Sequence, residues 1–303
     1  MTNTPGILAL LGSGELADSM AKVHRTLLTR AGSPPAAAFL DTPAGFELNS
    51  DEISARAVEY FKVRFNVPLD IASFRSKNRA SAREVAETVG KLRGANFIFA
   101  GPGSPSYAIR NWRGSAIWDT LVARLMNGAQ VVLASAAAIA VGRCSLPVYE
   151  IYKAGDEVDW MDGLDLLGAF GLKVAVVPHW NNAEGGTYDT RFCFMGEPRL
   201  KILETKLPFD VVMLGIDEYT ACVVDLATQQ CAVGGAGQVT VRYAGREWYY
   251  PAGSMFSFDQ LRAANLADGS AQAPAPETTP AVSAPAPSPE ITTTTMYLEQ
   301  RAR

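Results

Sequence analysis

The stretch VVLASAAAIA, residues 131–140, changes character at a single hydroxyl. Val131, Val132 and Leu133 make a short β-branched apolar run suited to a buried strand, and the alanine-rich segment after Ser135 suits a helix. Ser135 therefore stands at a strand-to-helix turn. Such a turn lifts Oγ above the sheet and aims the first helical N–H groups at whatever Oγ attacks. Plain capping would also place a serine here, since serine is a favoured N-cap residue. The fold class depends on whether the rest of the chain repeats this alternation of strand and helix.

It does. Short apolar runs at 7–11, 36–40, 97–100, 131–133, 174–177 and 211–214 read as strands, and longer segments at 16–31, 51–65, 81–92 and 115–126 read as helices. That order predicts an α/β fold with a mostly parallel sheet and crossover helices. After residue 214 the pattern turns to ACVVDL, CAVGGAG, QVTVRYAG and EWYYPAG, which predicts antiparallel hairpins at the C-terminal edge of the sheet. One catalytic-size domain is expected over 1–258. A Pro/Ala/Thr-rich segment at 267–295 is expected to be a disordered linker, because it has too little apolar surface to offset its ordering entropy. MYLEQRAR, 296–303, reads as the start of a further helical segment, so a partner or fused module after the linker is left open, as is a homodimer.

Composition narrows the function. A formal net charge of −4, with one small basic cluster at 75–83, is not the footprint of a nucleic-acid binder. No apolar run approaches the roughly 18 residues that cross a bilayer, and the first residues lack a basic segment, so a cytoplasmic protein without membrane contact is expected. The four cysteines, Cys144, Cys193, Cys222 and Cys231, lack CxxC spacing, which predicts neither a disulfide framework nor a metal site.

Reactive groups in an open α/β sheet gather beyond the carboxyl ends of the strands. Five segments occupy such ends: GSGE (12–15), DTPAG (41–45), AGPGSP (100–105), ASAAA (134–138) and PHWNN (178–182). A serine nucleophile requires a base, and the chain has two histidines. His24 lies mid-helix, where a solvated or half-buried role is expected, whereas His179 directly follows a strand. Glu150 is the nearest acid after Ser135, with Asp156, Glu157 and Asp159 behind it, and the turn around Gly103 offers N–H donors for an oxyanion. A rival reading takes GSGELA with Asp41 as a dinucleotide-binding turn, although Glu15 would set a carboxylate where a pyrophosphate must sit.

These motifs, in this order, resemble the serine peptidase family of cyanophycinase and α-aspartyl dipeptidase (dipeptidase E). The resemblance extends over most of residues 5–245. LASAAA stands where the family has G-x-S-A-G-A, PHWNN is similar to its P-H-F-x-N segment, and GIDEYTA (215–221) is similar to G-[IV]-D-E-x-T-A. The resemblance implies a class I glutamine amidotransferase-like, three-layer α/β/α fold. It also implies a Ser135–His179–Glu150 triad, oxyanion donors at Gly103 and Ala136, and no cofactor or metal. The family glycines beside the nucleophile are Leu133 and Ala137 here, and Pro102 replaces the middle glycine of the other turn. Arg191 stands where the cyanophycinase branch has a histidine. The expected substrate is a small peptide or amide with an acidic residue near the scissile bond. Ser104, Asn181, Asn182, Thr187, Asp189 and Arg191 are the candidates to contact it. The alternative left open is a catalytically inactive binding or scaffold protein of the same fold.

Overall fold

In a computed structural model, which describes residues 4–268, the alternation becomes β1 (Ile7–Leu11), α1 (Ala21–Ala31), β2 (Ala37–Leu40), α2 (Ser50–Phe65), β3 (Leu69–Ala72), α3 (Ala82–Gly94), β4 (Phe97–Ala100), α4 (Pro105–Trp112), α5 (Ala116–Met126), β5 (Gln130–Ala134) and α6 (Ala136–Ala140). It continues through β6 (Cys144–Ser145), β7 (Met161–Asp162), β8 (Val174–Val177), α7 (Arg191–Phe194), α8 (Gly196–Lys206) and β9 (Val212–Ile216). Five antiparallel strands follow, β10 (Thr220–Asp225), β11 (Gln230–Gly235), β12 (Gln238–Tyr243), β13 (Arg246–Pro251) and β14 (Met255–Ser257), and α9 (Ala263–Ala267) comes last. Sequence sets several of these boundaries locally. Ser81 and Glu84 form a reciprocal capping box at the start of α3, and Ser104 and Ser115 accept N–H groups at the starts of α4 and α5.

The large sheet has the order β14-β11-β10-β1-β5-β4-β2-β3, and every pairing from β1 to β3 is parallel. Its two faces are covered separately. Ile7, Ala9 and Leu11 of β1 pack with Val23 and Leu27 of α1 and Phe61 of α2, while Leu8 and Leu10 pack with Leu92, Trp112 and Leu121 of α3, α4 and α5. This is the three-layer α/β/α arrangement, and both faces of the parallel strands are buried because crossover helices cover each of them.

The antiparallel hairpin strands expected at the C-terminal edge are there as β10, β11 and β14, but the expectation of a single sheet needs correction. A second sheet, β13-β12-β9-β8-β6-β7, contains both β8 and β9. Val174 and Val176 of β8, Val212 and Leu214 of β9 and Val239 and Val241 of β12 turn into the same core as Leu8 and Leu10. The alternate residues Ala175, Val177 and Met213 face Leu200 and Leu203 of α8. Apolar residues on both faces of short strands satisfied the one-sheet pattern equally well, since periodicity reports burial and not which sheet buries it. The fold also continues past residue 258, where Leu261 and Leu266 lie in the main core. From residue 269 onward, the expected linker and terminal segment lie outside the described residues.

Candidate active site

Ser135 follows β5 directly and has φ 50° and ψ −112°, a left-handed conformation that its Cβ disfavours. Its side chain does not cap α6, which removes the capping explanation. Its main-chain N–H instead donates to the Leu11 carbonyl at 3.0 Å, pinning the turn to the end of β1. Leu133 and Ala137, which replace family glycines, are buried and are not among the positive-φ residues. The strain of the elbow, on the order of 1–3 kcal/mol for such a residue, is therefore held at Ser135 alone.

His179 approaches from β8, and its Nε2 lies 2.9 Å from Ser135 Oγ. It too has positive φ, at 50°. The main chain that holds it is unusual, because Phe192, Cys193 and Phe194 form a left-handed turn with φ values of 60°, 57° and 66°. Two of its N–H groups bind back, Cys193 to the His179 carbonyl at 3.1 Å and Phe192 to the Trp180 carbonyl at 2.9 Å. Such conformations persist when the surrounding structure over-determines them, and they gather at functional sites. His24 corrects its expectation: it is fully buried, its Nε2 bonds to the Glu15 carbonyl at 2.7 Å, and burial pushes its pKa down to about 4.

The carboxylate facing His179 Nδ1 is Glu218, with Oε1 at 2.9 Å. Glu150 does not take that place. It lies in a helical turn after β6, where one oxygen accepts the hydroxyl of Ser106 and the other is buried without a hydrogen-bond partner among the described residues. Chain proximity to the serine suggested Glu150, but the register of β8 against β9, Val177 opposite Gly215, brings the residues after β9 to the imidazole. Glu218 is held from two sides: Asn182 Nδ2 donates to Oε1 at 3.0 Å, and the Glu218 main-chain N–H donates to Asn181 Oδ1 at 2.8 Å. Burial raises its pKa, but the hydrogen bonds and field of His179, joined by Asn182, more than offset this and hold it below the usual carboxylate value. An ionised Glu218 only accepts, so Nδ1 carries the imidazole proton and Nε2 presents its lone pair to the serine O–H. Glu218 was within reach of sequence reasoning, since it follows a strand by two residues and sits in the GIDEYTA segment.

The other expected residues separate. Gly103 has φ 144°, and a Cβ there would lie 2.0 Å from the Pro43 carbonyl oxygen, so only glycine fits the turn leading into α4. Helix α4 packs on α6, which sets this turn beside the elbow. Ala136 is the first residue of α6, where an N–H has no partner within the helix. Ser104 is buried, caps α4 and shares a hydrogen bond with Ser106 at 2.9 Å. Asn181 and Asn182, expected to meet substrate, are engaged with Glu218. Arg191 forms a bidentate pair with Asp189 at 2.9 and 2.8 Å, which occupies both of those side chains, and Thr187 is exposed on the same loop.

The dinucleotide reading loses its acid, because Asp41 is buried and accepts from Ser73, the Phe74 main chain and Arg75. Gly12 is needed for a different reason: a Cβ there would lie 1.9 Å from the Asp217 carbonyl oxygen. Among the described residues, no group of three or more His, Cys, Asp or Glu is placed to hold a metal ion, and no helix is long and apolar enough to cross a membrane.

No protein-family model and no curated protein sequence matches the chain. Among solved structures it is similar to a peptidase from an acI-B1 Actinobacterium, with a TM-score of 0.69 and 21% identity over 85% of this chain and 99% of that one. At that identity the likeness concerns the fold. A candidate peptidase E protein from Listeria monocytogenes EGD-e aligns over 82% of this chain and 98% of its own, at 14% identity and a TM-score of 0.49, a level that adds nothing to the first.

Proposed function

We propose that the protein is a serine hydrolase that cleaves a small peptide or peptide-like amide through an acyl-enzyme, with Ser135 as nucleophile, His179 as base and then acid, and Glu218 as the orienting carboxylate. The observation that carries this reading is the unbroken chain of contacts, 2.9 Å from Ser135 Oγ to His179 Nε2 and 2.9 Å from His179 Nδ1 to Glu218. As Oγ attacks the carbonyl carbon, its proton passes to Nε2, and Glu218 stabilises the imidazolium that forms. The N–H groups of Gly103 and Ala136 are the candidate donors for the tetrahedral oxyanion, each such donor being worth roughly 3 kcal/mol. The imidazolium then gives its proton to the leaving amine, and water, activated by the same nitrogen, releases the acid. The peptidase among the structural neighbours supports the choice of amide over other acyl substrates.

A fluorophosphonate probe tests the proposal. Stoichiometric labelling of the protein, lost in Ser135→Ala, is the expected result. A folded sample that stays unlabelled under prolonged exposure would sink the enzyme reading and leave the binding or scaffold alternative.

A further inference from the structure

The left-handed turn that holds His179 also sets a ring beside it. Phe192, Cys193 and Phe194 all have positive φ, a conformation that costs free energy in residues carrying a Cβ. Phe192 and Cys193 are buried, and their N–H groups bond to the carbonyls of Trp180 and His179. Phe194 differs from both. It is only half-buried, its N–H donates to the Thr190 carbonyl at 2.9 Å, and its ring stands 6.1 Å from the imidazole of His179, tilted by 45°. Tyr152 stacks on the Phe194 ring at 5.2 Å, and the Tyr152 hydroxyl meets that of Tyr188, a residue 57% exposed, at 2.8 Å. Lys153 Nζ lies 4.4 Å from the centre of the Tyr152 ring. The Tyr152 ring is thus engaged by two neighbours, and Phe194 is the ring left to meet a ligand beside the imidazole.

One helical turn, Glu150–Ala154, touches both sides of the site. Glu150 accepts the hydroxyl of Ser106, on the helix that follows the Gly103 turn, and Tyr152 reaches Phe194 beside His179. A carbonyl placed over Ser135, between the Gly103 turn and the imidazole, is bordered by this turn. The chemistry then says which half of a substrate meets Phe194. The acyl half keeps its oxygen on the oxyanion donors, while the leaving nitrogen must reach His179 Nε2 to take its proton. The residue carrying that nitrogen is therefore held on the imidazole side, where Phe194 stands. Ring surface offered there by Phe194, Tyr152 and Tyr188 favours apolar and aromatic side chains, whose burial removes apolar area from water at no cost in lost hydration of charge.

Resting on the hydrolase reading, we propose that Phe194, backed by Tyr152, is a specificity-determining residue that packs against the leaving half of the substrate, so that the protein favours peptides whose leaving residue carries an aromatic or large aliphatic side chain. Dipeptide pools test this. In Xaa-Phe, Xaa-Leu, Xaa-Gly and Xaa-Asp pools the first residue is an equimolar mixture, so the acyl preference need not be known, and release of the second amino acid is followed by mass spectrometry.

The Xaa-Phe and Xaa-Leu pools should be cleaved about tenfold faster than the Xaa-Gly and Xaa-Asp pools. Phe194→Ala should bring the four rates within about threefold of one another, and Phe194→Tyr, which keeps a ring, should retain the ranking. Each ratio is read within one variant, so a general loss from disturbing His179 cancels. A thermal melt confirms the fold; if Phe194→Ala does not fold, Tyr152→Ala, which removes the backing ring, replaces it and should lower the same ratio. Equal rates in the parent, faster cleavage of Xaa-Gly or Xaa-Asp, no cleavage of any pool, or a preference that survives the substitution would overturn the proposal. Fluorophosphonate labelling judges the hydrolase reading separately. Labelling with equal pool rates refutes the role of Phe194 alone, whereas a folded protein that is neither labelled nor active removes the hydrolase reading and this proposal with it.

Discussion

Replacing Glu218 by glutamine isolates the contact that distinguishes the proposed triad from the one nearest in sequence. When His179 becomes an imidazolium, it faces Glu218 across 2.9 Å. Two unit charges about 4 Å apart interact by about 4 kcal/mol at an effective dielectric near 20. Glu218 keeps 21% of its side chain exposed and shares Oε1 with Asn182, so half of that figure, about 2 kcal/mol or roughly 30-fold in rate, is a fair lower bound. A second loss adds to it. The glutamine amide can turn its NH₂ to Nδ1, which then becomes the acceptor and moves the ring proton to Nε2, where the serine needs a lone pair. In serine hydrolases that tautomeric error reaches about 10⁴-fold, so Glu218→Gln should slow acylation by about 10²- to 10⁴-fold. The assay is the second-order rate of fluorophosphonate labelling, followed by intact mass with circular dichroism as the folding control. Glu150→Gln, changed beside Ser106 and away from the imidazole, should stay within about threefold of the parent. Labelling of Glu218→Gln at the parent rate, or an equal loss in Glu150→Gln, would refute the assignment.

Three further perturbations reach other parts of the site. Gly103→Ala drives a Cβ to 2.0 Å from the Pro43 carbonyl oxygen, so the turn must move, and labelling should fall by about 10²-fold or more while the far-UV spectrum is kept. Ser135→Gly relieves the positive φ that Ser135→Ala retains; with strain of about 1–3 kcal/mol against the extra chain entropy of glycine, about 0.5–1 kcal/mol, the glycine variant should be the more stable of the two in urea titration. Asp217 has its pKa pushed up to about 6, chiefly by burial, partly offset by the Gln238 N–H and raised further by Glu218. An acid raised on folding binds more protons in the native state, so its stabilising contribution is full below the ordinary value of 3.8 and is lost as pH rises through about 6. Asp217→Asn should therefore gain stability relative to the parent between pH 4 and pH 8, by at most about 3 kcal/mol, and thermal melts showing no pH-dependent difference would contradict this.

The sequence carried the parts of this site that depend on a residue's own neighbours. Ser135 and His179 each follow an apolar run directly, and that position alone puts a side chain at the carboxyl end of a strand. Glu218 satisfies the same rule after β9, yet it lies 39 residues from His179, and the preference for Glu150 came from the family resemblance and from closeness along the chain, which exerts no force. Asn181 and Asn182 were expected to face substrate because they lie in the polar loop that follows His179. Once Glu218 arrives between them, both are used to hold it. The assignment of strands to sheets was illegible for a related reason: Val174 and Val176 would alternate with Ala175 and Val177 in either sheet, and only packing against Leu8 and Leu10 or against α8 decides which.

What brings the proposed triad together, then, is register, and Leu11 shows how few pairings are required. It lies opposite Ala134 of β5 on one side and Ala221 of β10 on the other, and its carbonyl receives the Ser135 N–H. The residues just after β5 and just before β10 are thereby fixed to the same point at the end of β1. Since β10 begins at Thr220, the short loop from β9 must carry Glu218 across from the second sheet to the first at that point. Pairing of Val177 with Gly215 then brings His179 alongside from β8. A one-residue slip in either register would turn a side chain to the opposite face and separate Ser135 from His179, or His179 from Glu218. The apolar alternation that specifies these registers is therefore also what sets the two 2.9 Å contacts, although no residue in those strands makes either of them.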